Sequence, residues 1–280
     1  GVTGTEVKEE DFVEDLFVTT TKDYLLFFTN KGNVFWLKVY EIPEAGRYSK
    51  GKPIVNLIHI DKEESVTAAI SVKEFKDDVF LMMATKQGMI KKTRLSEYSN
   101  PRSTGIIALK LREKDELIGV KMATDKQSVI IATRNGFAIR FEAKKVREIG
   151  RAGIGVKGIK IGKNDFVVGM EVAEEKASLL TVTENGYGKR TNLDAYRVQG
   201  RGGKGLINIK ASERNGLVVG IKEVTEEDEI MVITSSGLVI RSKVSSVRMT
   251  GRSTSGVRLI RLEKGDSVSA VARLASKDEE

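Results

Sequence analysis

The stretch VIIATRNGFAIRF, residues 129–141, decides the fold. Two short runs rich in β-branched and aromatic residues, Val129–Ala132 and Phe137–Phe141, flank Arg134-Asn135-Gly136. Runs this short with that composition predict strands. Asn-Gly between them predicts a hairpin, because such turns need positive φ.

The same pattern, ending in Thr-x-x-Gly, recurs five times, at Thr29/Gly32, Thr85/Gly88, Thr133/Gly136, Thr183/Gly186 and Thr234/Gly237. The glycines are 56, 48, 50 and 51 residues apart. The first strand of each copy is read at Tyr24–Phe28, Val79–Ala84, Val129–Ala132, Leu179–Val182 and Ile230–Ile233. A second strand follows the turn, as in Leu238–Arg241, and then a loop rich in Gly, Arg and Ser. Ile106–Leu111, Val156–Ile161 and Val257–Leu262 predict a third strand. A fourth closes each unit at Val66–Val72, Leu117–Met122, Phe166–Val172, Leu217–Val224 and Val268–Leu274.

Four strands in about 50 residues, repeated without helical periodicity, predict an all-β propeller-like fold whose units bury their faces on one another. The units span approximately 23–72, 78–124, 127–174, 177–226 and 228–275 of one 1–280 domain. Residues 1–22 read as the second half of a preceding unit, so about six blades are expected, the first incomplete.

The net charge is +8, but the first 22 residues carry −4 and the last four −2, leaving +14 on residues 23–276. A basic body of this kind suits a polyanionic partner. The repeat fixes where the charge sits. Four residues after the turn glycines stand Trp36, Lys92, Arg140, Arg190 and Arg241, with Lys38, Lys91, Lys189 and Lys243 beside them. Strand alternation puts this position on the same side of every blade. A second series, Arg47, Arg102, Arg151, Arg201 and Arg252, lies in the loop before the third strand, followed three or four residues on by Gly51, Gly105, Gly155, Gly205 and Gly256. Two readings are open. Glycine-rich loops with an arginine can cradle phosphates around a rim and bind a bent duplex through its backbone. Alternatively, the glycines serve tight turns and the arginines bridge blades through backbone carbonyls.

Composition excludes other classes. There is no cysteine, hence no disulfide or thiolate metal site, and a reducing, cytoplasmic setting is expected. His59 is the sole histidine, which rules out multi-histidine metal sites. No run reaches the roughly 20 apolar residues of a membrane span, so no membrane partner is expected. The N-terminus is acidic, unlike a signal peptide. His59 lies in an apolar run and the acid pairs Asp77-Asp78 and Glu174-Glu175 lie between strands, so no catalytic set is expected.

GKRT at 188–191 followed by YRVQGRGGKG at 196–205, with EEDFVEDLFV at 9–18 and DYLLFFTNKG at 23–32, resembles the DNA gyrase A C-terminal domain family. The resemblance runs from residue 1 to about 275. It implies a six-bladed β-pinwheel whose blades exchange strands, with duplex DNA wrapped on the outer rim to support ATP-dependent negative supercoiling. The partners it implies, besides duplex DNA, are the N-terminal part of gyrase A and gyrase B in the holoenzyme. ATP and Mg belong to the holoenzyme, with no cofactor in this domain, and the setting is cytoplasmic and nucleoid-associated.

The family's Gln-Arg-Arg-Gly-Gly-Arg/Lys-Gly box aligns its last residue with Gly1. Gln199, Arg201 and Lys204 match it in a later blade, where Gly200 replaces the first arginine. The DNA-binding residues expected are Arg47, Lys91, Lys92, Arg102, Arg140, Arg151, Lys189, Arg190, Gln199, Arg201, Lys204, Arg241 and Arg252. The alternative readings are the C-terminal domain of the related topoisomerase IV, or a protein-interaction scaffold.

Overall fold

In the computed structural model, residues 22–44 and 56–274 are described. Nineteen strands form five antiparallel sheets among them. The first unit contributes β1 (Tyr24–Thr29), β2 (Asn33–Lys38) and β3 (Val66–Val72). The second contributes β4 (Phe80–Thr85), β5 (Met89–Arg94), β6 (Ile106–Ile107) and β7 (Leu117–Ala123). The third has β8 (Ser128–Thr133), β9 (Phe137–Glu142), β10 (Val156–Lys157) and β11 (Val167–Ala173). The fourth has β12 (Ser178–Thr183), β13 (Tyr187–Asn192), β14 (Leu206–Ile207) and β15 (Val218–Val224). The fifth has β16 (Glu229–Thr234), β17 (Val239–Lys243), β18 (Val257–Arg258) and β19 (Val268–Leu274). The expected sixth unit rests on residues 1–22, which apart from Lys22 lie outside the described residues, as does Arg47.

Each turn is built by its threonine and glycine. Gly136 N–H donates to Thr133 O at 3.1 Å, and Phe137 N–H donates to Thr133 Oγ1 at 3.3 Å. Positive φ falls on Gly136 alone (93°), not on Asn135, so the hairpin closes with its glycine in the left-handed region. A Cβ at Gly136 would also stand 2.4 Å from Ile209 O, so the turn needs glycine twice over.

The third strand is lent to the preceding blade. β6 pairs with β2, β10 with β5, β14 with β9 and β18 with β13. The lent strands are two residues long rather than the six predicted. The chain then curls round the neighbouring turn glycine: Asn208 N–H donates to Gly136 O at 2.7 Å, and Ile209 N–H to the same oxygen at 3.2 Å. Blade order is last strand, first strand, second strand, lent strand, as in β11-β8-β9-β14. The last strands β3, β7, β11, β15 and β19 touch in succession, the arrangement of a propeller axis, which places the lent strands at the outer edge. The fifth sheet has three strands, β17-β16-β19, among the described residues.

Cores lie between blades. Leu81 and Met83 face the first blade, with Leu26, Phe28 and Tyr98, whereas Met82 and Ala84 face the third, with Val129, Ile131 and Phe141. The first strands are therefore buried on both faces, which is why their sequences are continuous apolar runs rather than alternating ones.

Candidate nucleic-acid interface

The second strands carry the first basic series, and the blade stacking decides where it points. Lys91 and Lys189 are buried. Lys189 Nζ donates to Arg252 O at 2.6 Å, Gly251 O at 2.9 Å and Asn208 O. Lys91 Nζ donates to Ala108 O at 2.6 Å and to Arg151 O. Each ammonium thus ties its strand to the loop of the following unit. Burial pushes both down to about 7, and the neighbouring Arg151 and Arg252 charges push the same way.

Lys92 and Arg190 are buried as well. Lys92 Nζ meets Asp125 Oδ1 at 2.7 Å, and Arg190 meets Glu226 Oε1 and Val247 O, each at 2.7 Å. Half-buried Arg140 donates to Ser128 Oγ at 2.8 Å and Leu193 O at 3.0 Å. The expectation of one outward-facing row is corrected for Lys91, Lys92, Lys189 and Arg190. These strands are covered on both faces, so alternation does not sort inside from outside. Arg241, in the three-stranded sheet, is exposed and pairs with Glu229 at 2.6 Å.

Three of the loop arginines, Arg151, Arg201 and Arg252, are bridges that remain exposed or half-buried. Arg151 Nη1 donates to Ile107 O at 2.9 Å, Arg201 Nη1 to Lys157 O at 3.1 Å and Arg252 Nη1 to Ile207 O at 2.9 Å. Each acceptor is the second residue of a strand lent one blade earlier. A neutral carbonyl fixes the guanidinium without cancelling its charge, so all three still add to the surface potential. Arg102 and Lys204 are exposed. Gln199, half-buried, uses its backbone N–H on Arg140 O at 2.8 Å, and its side-chain amide lies against the Arg197 guanidinium. The loop glycines Gly105, Gly155, Gly205 and Gly256 face protein rather than solvent: a Cβ at Gly205 (φ 77°) would lie 2.3 Å from Ala138 O.

The structure adds two exposed basic series. Arg147, Arg197 and Arg248 stand 11 residues after their turn glycines. Lys110, Lys160, Lys210 and Arg261 each stand three residues after the end of a lent strand. Exposed aliphatics adjoin them, Val198 (51%) beside Arg197 and Met249 (44%) beside Arg248. Carrying the repeat alignment through the whole loop, on both sides of the loop arginine, would have found both series.

Charges toward the axis pair off instead. Lys121 meets Glu171 at 3.5 Å, and Arg273 meets Asp228 at 2.7 Å. Burial, with Glu171 and Glu174 nearby, pushes the Glu223 carboxyl up to about 8. Exposed His59 belongs to no group of three or more His, Cys, Asp or Glu side chains able to hold a metal, and no such group occurs among the described residues.

Tandem sheets that exchange outer strands, with cations recurring along the edge those strands form, define a β-pinwheel with a basic rim. The chain belongs to the DNA gyrase C-terminal domain, beta-propeller family, which matches residues 23–73, 80–123, 127–174, 177–225 and 228–275. It is 54% identical to the DNA gyrase A of Halalkalibacterium halodurans and 46% identical to that of Clostridium acetobutylicum, each over 280 residues. Those alignments cover 100% of this chain and 34% of each relative, so the chain spans about a third of their length. Two solved structures share the fold. A DNA topoisomerase IV C-terminal domain has TM-score 0.83 and 27% identity, covering 92% of this chain and 80% of that one. A DNA gyrase A C-terminal domain has TM-score 0.80 and 28% identity, covering 92% and 84%.

Proposed function

We propose that this chain is the DNA-wrapping part of a gyrase A protein, a non-catalytic domain that bends duplex DNA round its outer rim. In the whole enzyme it would act with the rest of gyrase A and with gyrase B, which carry the cleavage chemistry and the use of ATP and Mg. The observation that carries this reading is the recurrence of exposed cations on the lent-strand edge: Arg147, Arg197 and Arg248, then Lys110, Lys160, Lys210 and Arg261. A row at blade spacing along a curved edge matches a polyanion that bends, and carbonyl-anchored Arg151, Arg201 and Arg252 supply preset forks for its phosphates.

Contacts of this kind read the backbone, so affinity should fall steeply with salt, with a log–log slope of about −5 to −10, and prefer bendable sequences. Filter binding of this chain to a duplex across a salt series tests it, and a slope near zero refutes it. No helix among the described residues is long and apolar enough to cross a membrane, and nucleoid DNA in the cytoplasm is the setting this reading assigns. The topoisomerase IV likeness favours a second reading, a domain that binds DNA and bends it less. Equal affinity with no change in linking number would select it.

A further inference from the structure

One pair of exposed arginines shares a tyrosine hydroxyl. Tyr187 opens β13, and its side chain is almost wholly covered, the residue being 4% exposed. Two exposed arginines from different segments close on it. Arg258 lies on the lent strand β18, and Arg214 lies in the loop between β14 and β15. Arg258 Nη2 donates to Tyr187 Oη at 3.0 Å, and Arg214 Nε donates to the same oxygen at 3.3 Å. Their guanidinium carbons stand 5.6 and 5.2 Å from the ring centroid.

One phenol therefore templates two like charges. Neither arginine has a carboxylate within 4.0 Å among the described residues. A neutral hydroxyl accepts hydrogen bonds and does not neutralise two cations. The hydrogen bonds from Arg214 and then Arg258 hold the phenol below its usual range, so the positive potential at this point is felt by the ring itself. The arrangement is confined to the fourth blade, since the equivalent turn-plus-one positions hold Asn33, Met89, Phe137 and Leu238.

Two guanidinium forks fixed beside each other, each with N–H donors to spare, match the oxygens of one phosphate. We propose that Arg214 and Arg258, set by Tyr187, form a single-phosphate clamp that grips one backbone phosphodiester of duplex DNA on the fourth blade. This rests on the wrapping reading above. Arg258 lies on β18, one of the lent strands that form the outer edge, and Arg252 and Arg261 flank it in sequence.

The test separates this proposal from that reading. The chain, its Arg214→Ala, Arg258→Ala and double variants, and Tyr187→Phe are titrated with a short duplex over a salt series, and circular dichroism checks folding. If both arginines serve one phosphate, the double variant lowers the salt slope by about 1, not about 2. Tyr187→Phe, which keeps the ring and loses the template, should weaken binding while leaving both charges in place. In parallel, the Tyr187 13Cζ resonance is followed through a pH titration with the duplex or with inorganic phosphate. The phenol should titrate higher once an oxyanion draws the guanidinium charge away, with the duplex alone or with both probes. A slope unchanged in the double variant, a loss of about 2, or a Tyr187 resonance that answers to inorganic phosphate and not to duplex would each overturn the clamp. A wild-type chain that fails to bind duplex overturns the wrapping reading as well. Wild-type binding with an intact slope in the double variant overturns the clamp alone.

Discussion

Lys189 and Arg197 lie in the same unit, both cationic, yet the fold gives them opposite tasks. Lys189 is sealed between blades with its ammonium on backbone carbonyls of the next unit's loop, whereas Arg197 stands in solvent at the outer edge. The difference is one of surroundings rather than residue type. A strand covered by blades on both sides turns a lysine into a tie across the junction. The connection that leads to the lent strand has one free side, and there the charge faces outward. Recurrence at matched positions therefore marks a role common to the blades that share it without saying which role.

The largest expected effect comes from breaking the buried side of this comparison. Lys189→Ala leaves the carbonyls of Asn208, Gly251 and Arg252 without their donor and opens a void, which should cost about 3 kcal/mol in urea unfolding. Any loss of DNA binding should track the unfolded fraction. Next, replacing Arg147, Arg197 and Arg248 together by alanine should lower the DNA salt slope by about 3. The urea midpoint should stay within the spread of ordinary surface changes, about 0.5 kcal/mol per site. Arg252→Ala sits between the two classes. Losing its bonds to Ala195 O and Ile207 O should cost about 1 kcal/mol, and the salt slope should fall by about 1. The smallest effect is Arg241→Ala, an exposed pair with Glu229, expected to change stability by less than about 1 kcal/mol.

Acidity sharpens the same contrast. Lys91 and Lys189 sit near 7 when folded and at 10.5 when unfolded, so between those values the unfolded chain binds more protons. Stability from this source rises with pH across that window and is lost as pH falls through 7. Glu223, raised from 4.5 to about 8, works the other way below pH 8. The lysine contribution is therefore cleanest between pH 8 and 9.5. There the wild-type urea midpoint should climb, and that of Lys189→Met should climb less. Parallel curves would count against buried, deprotonating lysines.

The fold was legible because Thr-x-x-Gly has a mechanical cause. In four copies the threonine hydroxyl accepts from the N–H of the residue after the glycine, in the fourth unit the Thr183 hydroxyl donates to Tyr187 O, and in all five the glycine supplies positive φ. Which blade receives the third strand was not legible from spacing, because a two-residue strand carries no periodicity; the family resemblance supplied the exchange. The predicted length failed at Ala108 and Leu109, whose N–H groups turn aside to Gly32 O instead of continuing a ladder. For the site, the loop series divides, with Arg102 and Arg201 exposed and Arg151 and Arg252 half-buried. Its bridging role was one of two readings the sequence left open. Lys91 and Lys189 were misplaced because alternation predicts facing only where one side of a sheet is free. Arg147 and Arg248 were missed although, with Arg197, they recur at one matched position in three successive units.

The most direct test is topological. The chain is bound to nicked plasmid, the nick is sealed, the protein is removed and the linking number is measured. The wild-type chain should shift the distribution in proportion to the amount bound, and the folded Arg147, Arg197 and Arg248 triple alanine variant should shift it far less. An unshifted wild-type distribution, or a triple variant that wraps as well as the wild type, would contradict the assignment of wrapping to the outer rim.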